Sequence, residues 1–164
     1  MAKGKSSPKG KDDSSNKIIA RNRRATHEYE ILDKLECGIA LVGSEVKSLR
    51  AGKASLEEAY ARIKDDELWL INCDIAEYPQ ANMFNHEPRR PRKLLLHKRE
   101  LRKFAAAADH DGLTMIPLSM YFSNGRAKVE IGVGKGRKLH DKRQKMKENE
   151  AKKEIRRAMT KRMS

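Results

Sequence analysis

Charge along this chain is partitioned, and the partition limits where a core can form. Residues 25–133 carry sixteen Lys/Arg and seventeen Asp/Glu, close to neutral. Residues 1–24 carry eight bases against two acids, and residues 134–164 carry thirteen against four. The net charge of +14 therefore lies in two arms, and the centre between them is long enough for one modest core. Arms of this kind are solvated and disordered alone and seek polyanions. Nucleic acid is the commonest such partner, because each phosphate contact releases counterions. Three segments are expected: a disordered basic arm over 1–17, a folded RNA-binding domain over 18–134, and a basic tail over 135–164.

Other classes fit poorly. No apolar run approaches the roughly 18 residues of a membrane helix, and the basic N-terminus lacks the apolar stretch of a signal peptide. Cys37 and Cys73 stand far apart with no metal-ligand spacing, so free thiols, a cytoplasmic location and no metal are expected. His27, His86, His97, His110 and His140 make no recognisable pair with a nucleophile. No catalytic residue, cofactor or enzyme activity is expected.

The centre reads as strands with small helices between them. Tyr29–Glu36 and Ile39–Val42 flank Cys37-Gly38 and predict a hairpin. Ser44 can cap a short helix, Glu45–Arg50, that stops at Gly52. Ala59–Lys64 and Glu67–Ile75 predict strands joined at Asp65-Asp66. The unbroken run Leu68–Ile71 predicts that the second is covered on both faces. A loop over 79–93 holds Pro79, Pro88 and Pro91. A helix over His97–Ala108 gathers Leu101, Phe104, Ala105 and Ala108 on one face. Leu113–Phe122 and Arg126–Val133 meet at Ser123-Asn124-Gly125, a strong turn signal. The fold class expected is mainly β with short helices: six antiparallel strands closed into an OB-like barrel, since closure removes exposed edges. An open sheet covered by the helix is the alternative.

In the tail, Gln144–Met159 has neither Gly nor Pro, and Ala151, Ile155, Ala158 and Met159 form a thin apolar stripe. Such a stripe predicts a helix that is disordered in the free protein and forms on a partner.

Two basic tracks are candidate phosphate ligands. Arg89, Arg90, Arg92 and Lys93 follow the proline loop, and Lys98, Arg99, Arg102 and Lys103 lie on the helix. The Gly132–Lys138 segment lacks the spacing of a nucleotide-binding loop. It reads as a flexible exit whose glycines let the backbone approach RNA, or as a plain linker. Aromatics are only 5% of the chain. Trp69, Tyr60 and Tyr121 sit in predicted strands as core. That shortage argues for a folded RNA read by shape and phosphate, not a single strand read by stacking. A general OB-fold nucleic-acid-binding or ribosome-associated protein is the alternative.

Four motifs in order then add a resemblance. They are Asn22-Arg23-Arg24-Ala25, the run Gly43–Ala54, Pro91-Arg92-Lys93-Leu94-Leu95-Leu96, and Gly134-Lys135-Gly136-Arg137-Lys138 leading into His140-Asp141-Lys142-Arg143. From about residue 17 onward this series resembles the small protein B family, the tmRNA-binding proteins. The resemblance implies an OB-like barrel bound to the tRNA-like part of tmRNA, also called SsrA RNA. It implies a tail, helical on the ribosome, that enters the decoding centre and the empty mRNA channel against 16S rRNA. It implies tmRNA contacts at Asn22, Arg23, Arg24, Glu36, Arg92, Lys93, Leu95, Lys135, Arg137 and Lys138. It implies decoding-centre contacts at His140, Asp141, Lys142 and Arg143. Asn22 can bind a base or cap a turn. Glu36 can accept from base amino groups, orient an arginine, or be a plain strand position. Leu95 can pack on an unstacked base or on the core. A monomeric adaptor without a reaction of its own is expected.

Overall fold

A computed structural model describes residues 17–109 and 112–162. The expected N-terminal arm, apart from Lys17, lies outside the described residues, as does His110. The elements run β1 (Lys17–Arg21), α1 (Arg23–Glu28), β2 (Tyr29–Ile39), α2 (Gly43–Arg50), β3 (Ala54–Ser55), β4 (Tyr60–Lys64), β5 (Glu67–Ile71) and β6 (Asp74–Ile75). A 3-10 turn (Pro79–Phe84), β7 (Arg92–Leu95), α3 (Lys98–Ala108), β8 (Leu113–Ser123), β9 (Arg126–Gly136) and α4 (Leu139–Arg162) follow.

Six of the strands close into an antiparallel ring, β8-β4-β5-β7-β2-β9 and back to β8. Closure leaves β1 to pair with the outer edge of β8, Arg21 opposite Ser119, while β4 joins the same edge lower down at Ala61–Met115. The turn between β8 and β9 has positive φ at Asn124 and Gly125, which matches the twist of a two-residue hairpin. Leu68, Leu70, Leu94, Met120, Val129 and Ile131 fill the ring. α3 adds Leu101 and Phe104 to that core and turns Lys98, Arg99, Arg102 and Lys103 outward. Among the described residues no helix is long and apolar enough to cross a membrane.

Several local expectations change. There is no hairpin at Cys37-Gly38: β2 runs straight through, because Gly38 pairs with Leu95 on one side and Lys128 on the other. Ser44 does not cap α2. Its hydroxyl meets His86 Nδ1 at 2.9 Å, and Glu45 instead reaches back to the Val42 N–H. The predicted strand Glu67–Ile75 breaks at Asn72, which has φ +59°. β5 alternates buried and half-buried positions, so only its Leu68/Leu70 face is fully covered. The glycine-rich exit is ordered strand as far as Gly136, paired with Tyr29.

Glycine is required in that last stretch for closeness. A Cβ on Gly134 would stand 3.0 Å from Tyr29 Cβ and 3.3 Å from the Glu30 carbonyl. Bulges bend the two neighbouring strands: Leu32 in β2, beside Val133–Gly134, and Leu118 in β8, beside Glu130–Ile131, each lack a ladder partner on β9. Beneath α1 these bends gather a second apolar cluster of Ala25, Ile116 and Leu118 against Tyr29 and Ile31.

Candidate nucleic-acid interface

The bulge in β8 frees carbonyls that a ladder would otherwise use, and Asn22 takes them. Its backbone N–H donates to Leu118 O at 2.8 Å. Its side-chain amide donates to Pro117 O and Leu56 O, both at 3.1 Å, and its Oδ1 accepts from the Ala25 N–H. Asn22 is 3% exposed, and its amide is satisfied within the protein. The Asn22 side chain thus makes the cap of α1. In doing so Asn22 fixes the turn from β1 into α1 and so aims Arg21 and Arg23 outward.

These residues frame an open groove of about 1000 Å³ between β1, α1, β2, β8 and β9. Its floor is apolar, from Tyr29, Ile31 and Leu118. Its cations are Arg21, Arg23, Lys34, Arg137 and Lys145. The carboxylates Glu30, Glu36 and Glu130 also line it. Glu130 is 3.5 Å from Lys34. Glu36 accepts from Lys128 Nζ at 2.7 Å and from the Tyr121 hydroxyl. Those hydrogen bonds, Lys128 first, hold its carboxyl below the usual carboxylate range. Glu36 is thus a fixed anion that lines the groove, and a carboxylate can accept from a base amino group.

A second groove of about 760 Å³ continues along the tail between Glu30, Lys135, Arg137, Lys138, Asp141, Gln144, Lys145 and Glu148. Arg137 and Lys145 line both grooves. α4 begins at Leu139, so Asp141, Lys142 and Arg143 lie in its first turns. It is one helix through Arg162, longer than the Gln144–Met159 segment read from the sequence.

The remaining sequence-predicted residues do not join this surface. Lys93 and Leu95 line a separate cleft of about 470 Å³ with Asp65, Asp66, Glu67 and Lys98. Leu95 is 50% exposed there, so it faces solvent and not the core. Arg24 pairs with Glu28 at 3.2 Å on the outside of α1. Arg92 is fully buried and paired with Glu45. Its neighbours in the proposed basic track are also engaged: Arg89 with Glu58 and Asp74, Arg90 with Glu45, Lys93 with Glu67. A run of bases in sequence does not report acids that the fold brings from 15 to 47 positions away.

Sequence reasoning also missed residues. Arg21, Lys34 and Lys145 enter the groove from three different elements, with no local motif to mark them. Tyr60 is half exposed and not core, and Met83 and Phe84 are 87% and 84% exposed on the 3-10 turn. Among the described residues no cluster of His, Cys, Asp and Glu could hold a metal.

Residues 19–161 match the family model described as SmpB protein. The SsrA-binding protein of Agrobacterium fabrum is 55% identical over 144 residues, 87% of this chain and 90% of that protein. The SsrA-binding protein of Carboxydothermus hydrogenoformans is 52% identical over 143 residues, 87% and 96% of the two chains. A solved chain from a structure described as "tmRNA-SmpB: a journey to the center of the bacterial ribosome" superposes with a TM-score of 0.63 at 52% identity. That match covers 73% of this chain and 84% of the other. Matched along nearly its whole described length, groove and tail included, the chain belongs to the SmpB protein family.

Proposed function

We propose that this protein is an RNA-binding adaptor, working in the cytoplasm, that holds the tRNA-like part of tmRNA and brings it to stalled bacterial ribosomes. The observation that carries the reading is the continuous family match over residues 19–161, which spans both the cation-lined groove and the tail. The groove suits a folded RNA. Arg21, Arg23, Lys34 and Arg137 are spread around its rim for a backbone, and Glu36 is oriented for a base edge. Within the tail, His140, Asp141, Lys142 and Arg143 meet 16S rRNA in the decoding centre, and the rest of α4 follows the empty mRNA channel.

Four positions named by the resemblance take different roles in this reading. Asn22 positions Arg21 and Arg23 instead of touching RNA. Arg92 holds the fold. Lys93 and Leu95 contact RNA only if it extends to their separate cleft. The test is to isolate the protein from its native cell under mild salt and sequence the RNA that accompanies it. Strong enrichment of tmRNA over ordinary tRNA is expected. Equal recovery of tRNA and tmRNA would overturn the assignment.

A further inference from the structure

Arg137 and Lys145 stand where the two grooves meet, and together they make a site that neither makes alone. Arg137 is the first residue past β9, and its backbone N–H donates to the Glu28 carbonyl at 2.8 Å. That bond ties the start of the tail to the end of α1. Two turns into α4, Lys145 reaches back, and its ammonium donates to the Thr26 carbonyl. The Arg137 Nε is enclosed and has no hydrogen-bond partner among the described residues, so the terminal N–H groups of its guanidinium are the ones open to the groove. An enclosed guanidinium N–H is ordinarily satisfied. Burial lowers the Lys145 pKa, the Arg137 charge lowers it further, and Glu148 offsets part of this. Glu30, Asp141 and Glu148 face the same groove, and none of them accepts from Arg137 Nε. Arg137 and Lys145 are neighbouring cations and repel each other. An anion between them turns the repulsion into two charge-assisted hydrogen bonds.

We propose that Arg137 and Lys145 form a phosphate clamp for RNA in the main groove, and that filling it fixes the first turns of the tail helix against α1. One phosphodiester accepts from the terminal N–H groups of the Arg137 guanidinium and from Lys145 Nζ. The lysine has three N–H donors and keeps its bond to Thr26 O. Tail docking and RNA binding then favour each other by the same free energy. The clamp rests on the reading of the groove as an RNA site, and it adds that a tail residue belongs to that site.

The test uses the full chain and a transcript of the tRNA-like part of tmRNA. Gel-shift titrations over a salt series compare wild type with Lys145→Ala, Lys145→Arg, Arg137→Ala, the double alanine variant, and Lys153→Ala, an exposed tail lysine. Lys145→Ala is expected to weaken binding about fivefold and to reduce the salt slope by about 1. Lys145→Arg restores both, Lys153→Ala changes neither, and the losses from Arg137→Ala and Lys145→Ala are not additive. Amide exchange over residues 139–146 slows on RNA binding in wild type and not in Lys145→Ala. If Lys145→Ala matches Lys153→Ala in affinity and slope while wild type binds normally, the clamp is overturned. If inorganic phosphate alone slows the same amides equally, the site takes any free anion and its link to RNA is overturned. A wild-type chain that does not bind the transcript removes the RNA reading, and the clamp with it.

Discussion

Glu45 and Arg92 face each other with both side chains at 0% exposure, and each is satisfied on every side. Glu45 also takes Arg90, and it accepts from the Val42 N–H at 3.0 Å. Arg92 donates to Cys73 O at 2.7 Å and to Pro88 O at 3.0 Å. One carboxylate from α2 and one guanidinium from β7 thus pin the proline loop to the ring. Nearby, His86 fastens the same loop between Ser44 Oγ and Ile75 O.

Arg92→Ala would leave the Glu45 charge buried beside Arg90 alone. Removing one member of such a pair costs about 3–5 kcal/mol, a large part of the stability of a small domain. Urea unfolding is expected to show that loss. The salt slope of RNA binding, measured where the variant is still folded, is expected to match wild type, since Arg92 meets no phosphate. A variant of normal stability that binds RNA with a shallower slope would return Arg92 to the interface.

Acid should act through two carboxylates. Burial pushes the Glu45 carboxyl up, but the Arg90, Val42 and Arg92 contacts outweigh it and hold it below the usual range. Glu36 is held low by Lys128 and Tyr121. A folded pKa below the unfolded one, about 4.3 for Glu, means stability that is fully present above that value. It is lost as pH falls through the folded pKa. Most of the effect belongs to Glu45, because Glu36 is half exposed and screened by solvent. Denaturation midpoints measured from pH 7 down to about 3 should fall, and Glu45→Gln should flatten the fall. An unchanged pH profile in that variant would show that the pair does not drive it.

Both thiols should be silent in the folded protein. Burial pushes Cys37 up to about 12, with Glu100 and Glu36 adding to it, and pushes Cys73 to about 11. The thiolate is the reactive form, so almost none is available near neutral pH. Reaction with a disulfide dye at pH 8 is expected only as fast as the protein opens, and both thiols should react at once in denaturant. Rapid labelling of either in the native protein would mean that its side of the ring opens locally.

The ring was legible wherever pattern is local. The Asn124-Gly125 turn, the Asp65-Asp66 turn and the amphipathic α3 all stand in the sequence as short-range signals, and the strands around them follow. β2 was misread because Gly38 looks like a turn in sequence, whereas here it lets β7 approach, its Cβ position lying 3.4 Å from Leu95 Cβ. The interface was legible only in part, for a related reason. Arg23 and Arg137 fall within recognisable motifs, Glu36 is a position implied by the resemblance, and all three line one groove. Arg92 falls within a motif as well, but its partner Glu45 is 47 positions away, and nothing local announces that it is buried. Lys145 shows the converse, a site residue inside a stretch whose only visible property is charge.

Beyond its first turns, α4 keeps nothing under cover. Met146, Ile155 and Met159 are exposed, as are all described side chains past Lys145. A helix supported by its own backbone bonds alone is marginal in water. The segment from about 147 onward is therefore expected to exchange its amides fast in the free protein and slowly on the ribosome. Slow exchange throughout 144–159 in the free protein would refute this. Deleting residues 139–164 removes Lys145 but leaves the groove's other cations, so tmRNA binding should stay within about tenfold, ~1.4 kcal/mol. The same deletion should abolish rescue of stalled ribosomes in a reconstituted reaction, as the proposed path of the tail along rRNA requires. Replacing Asp141, Lys142 and Arg143 together by alanine should reproduce much of that defect through lost phosphate contacts. Normal rescue by the truncated protein would reduce the tail to a charged appendage. A loss of tmRNA as severe as that from altering the groove itself would mean that recognition and rescue are not separable along the chain.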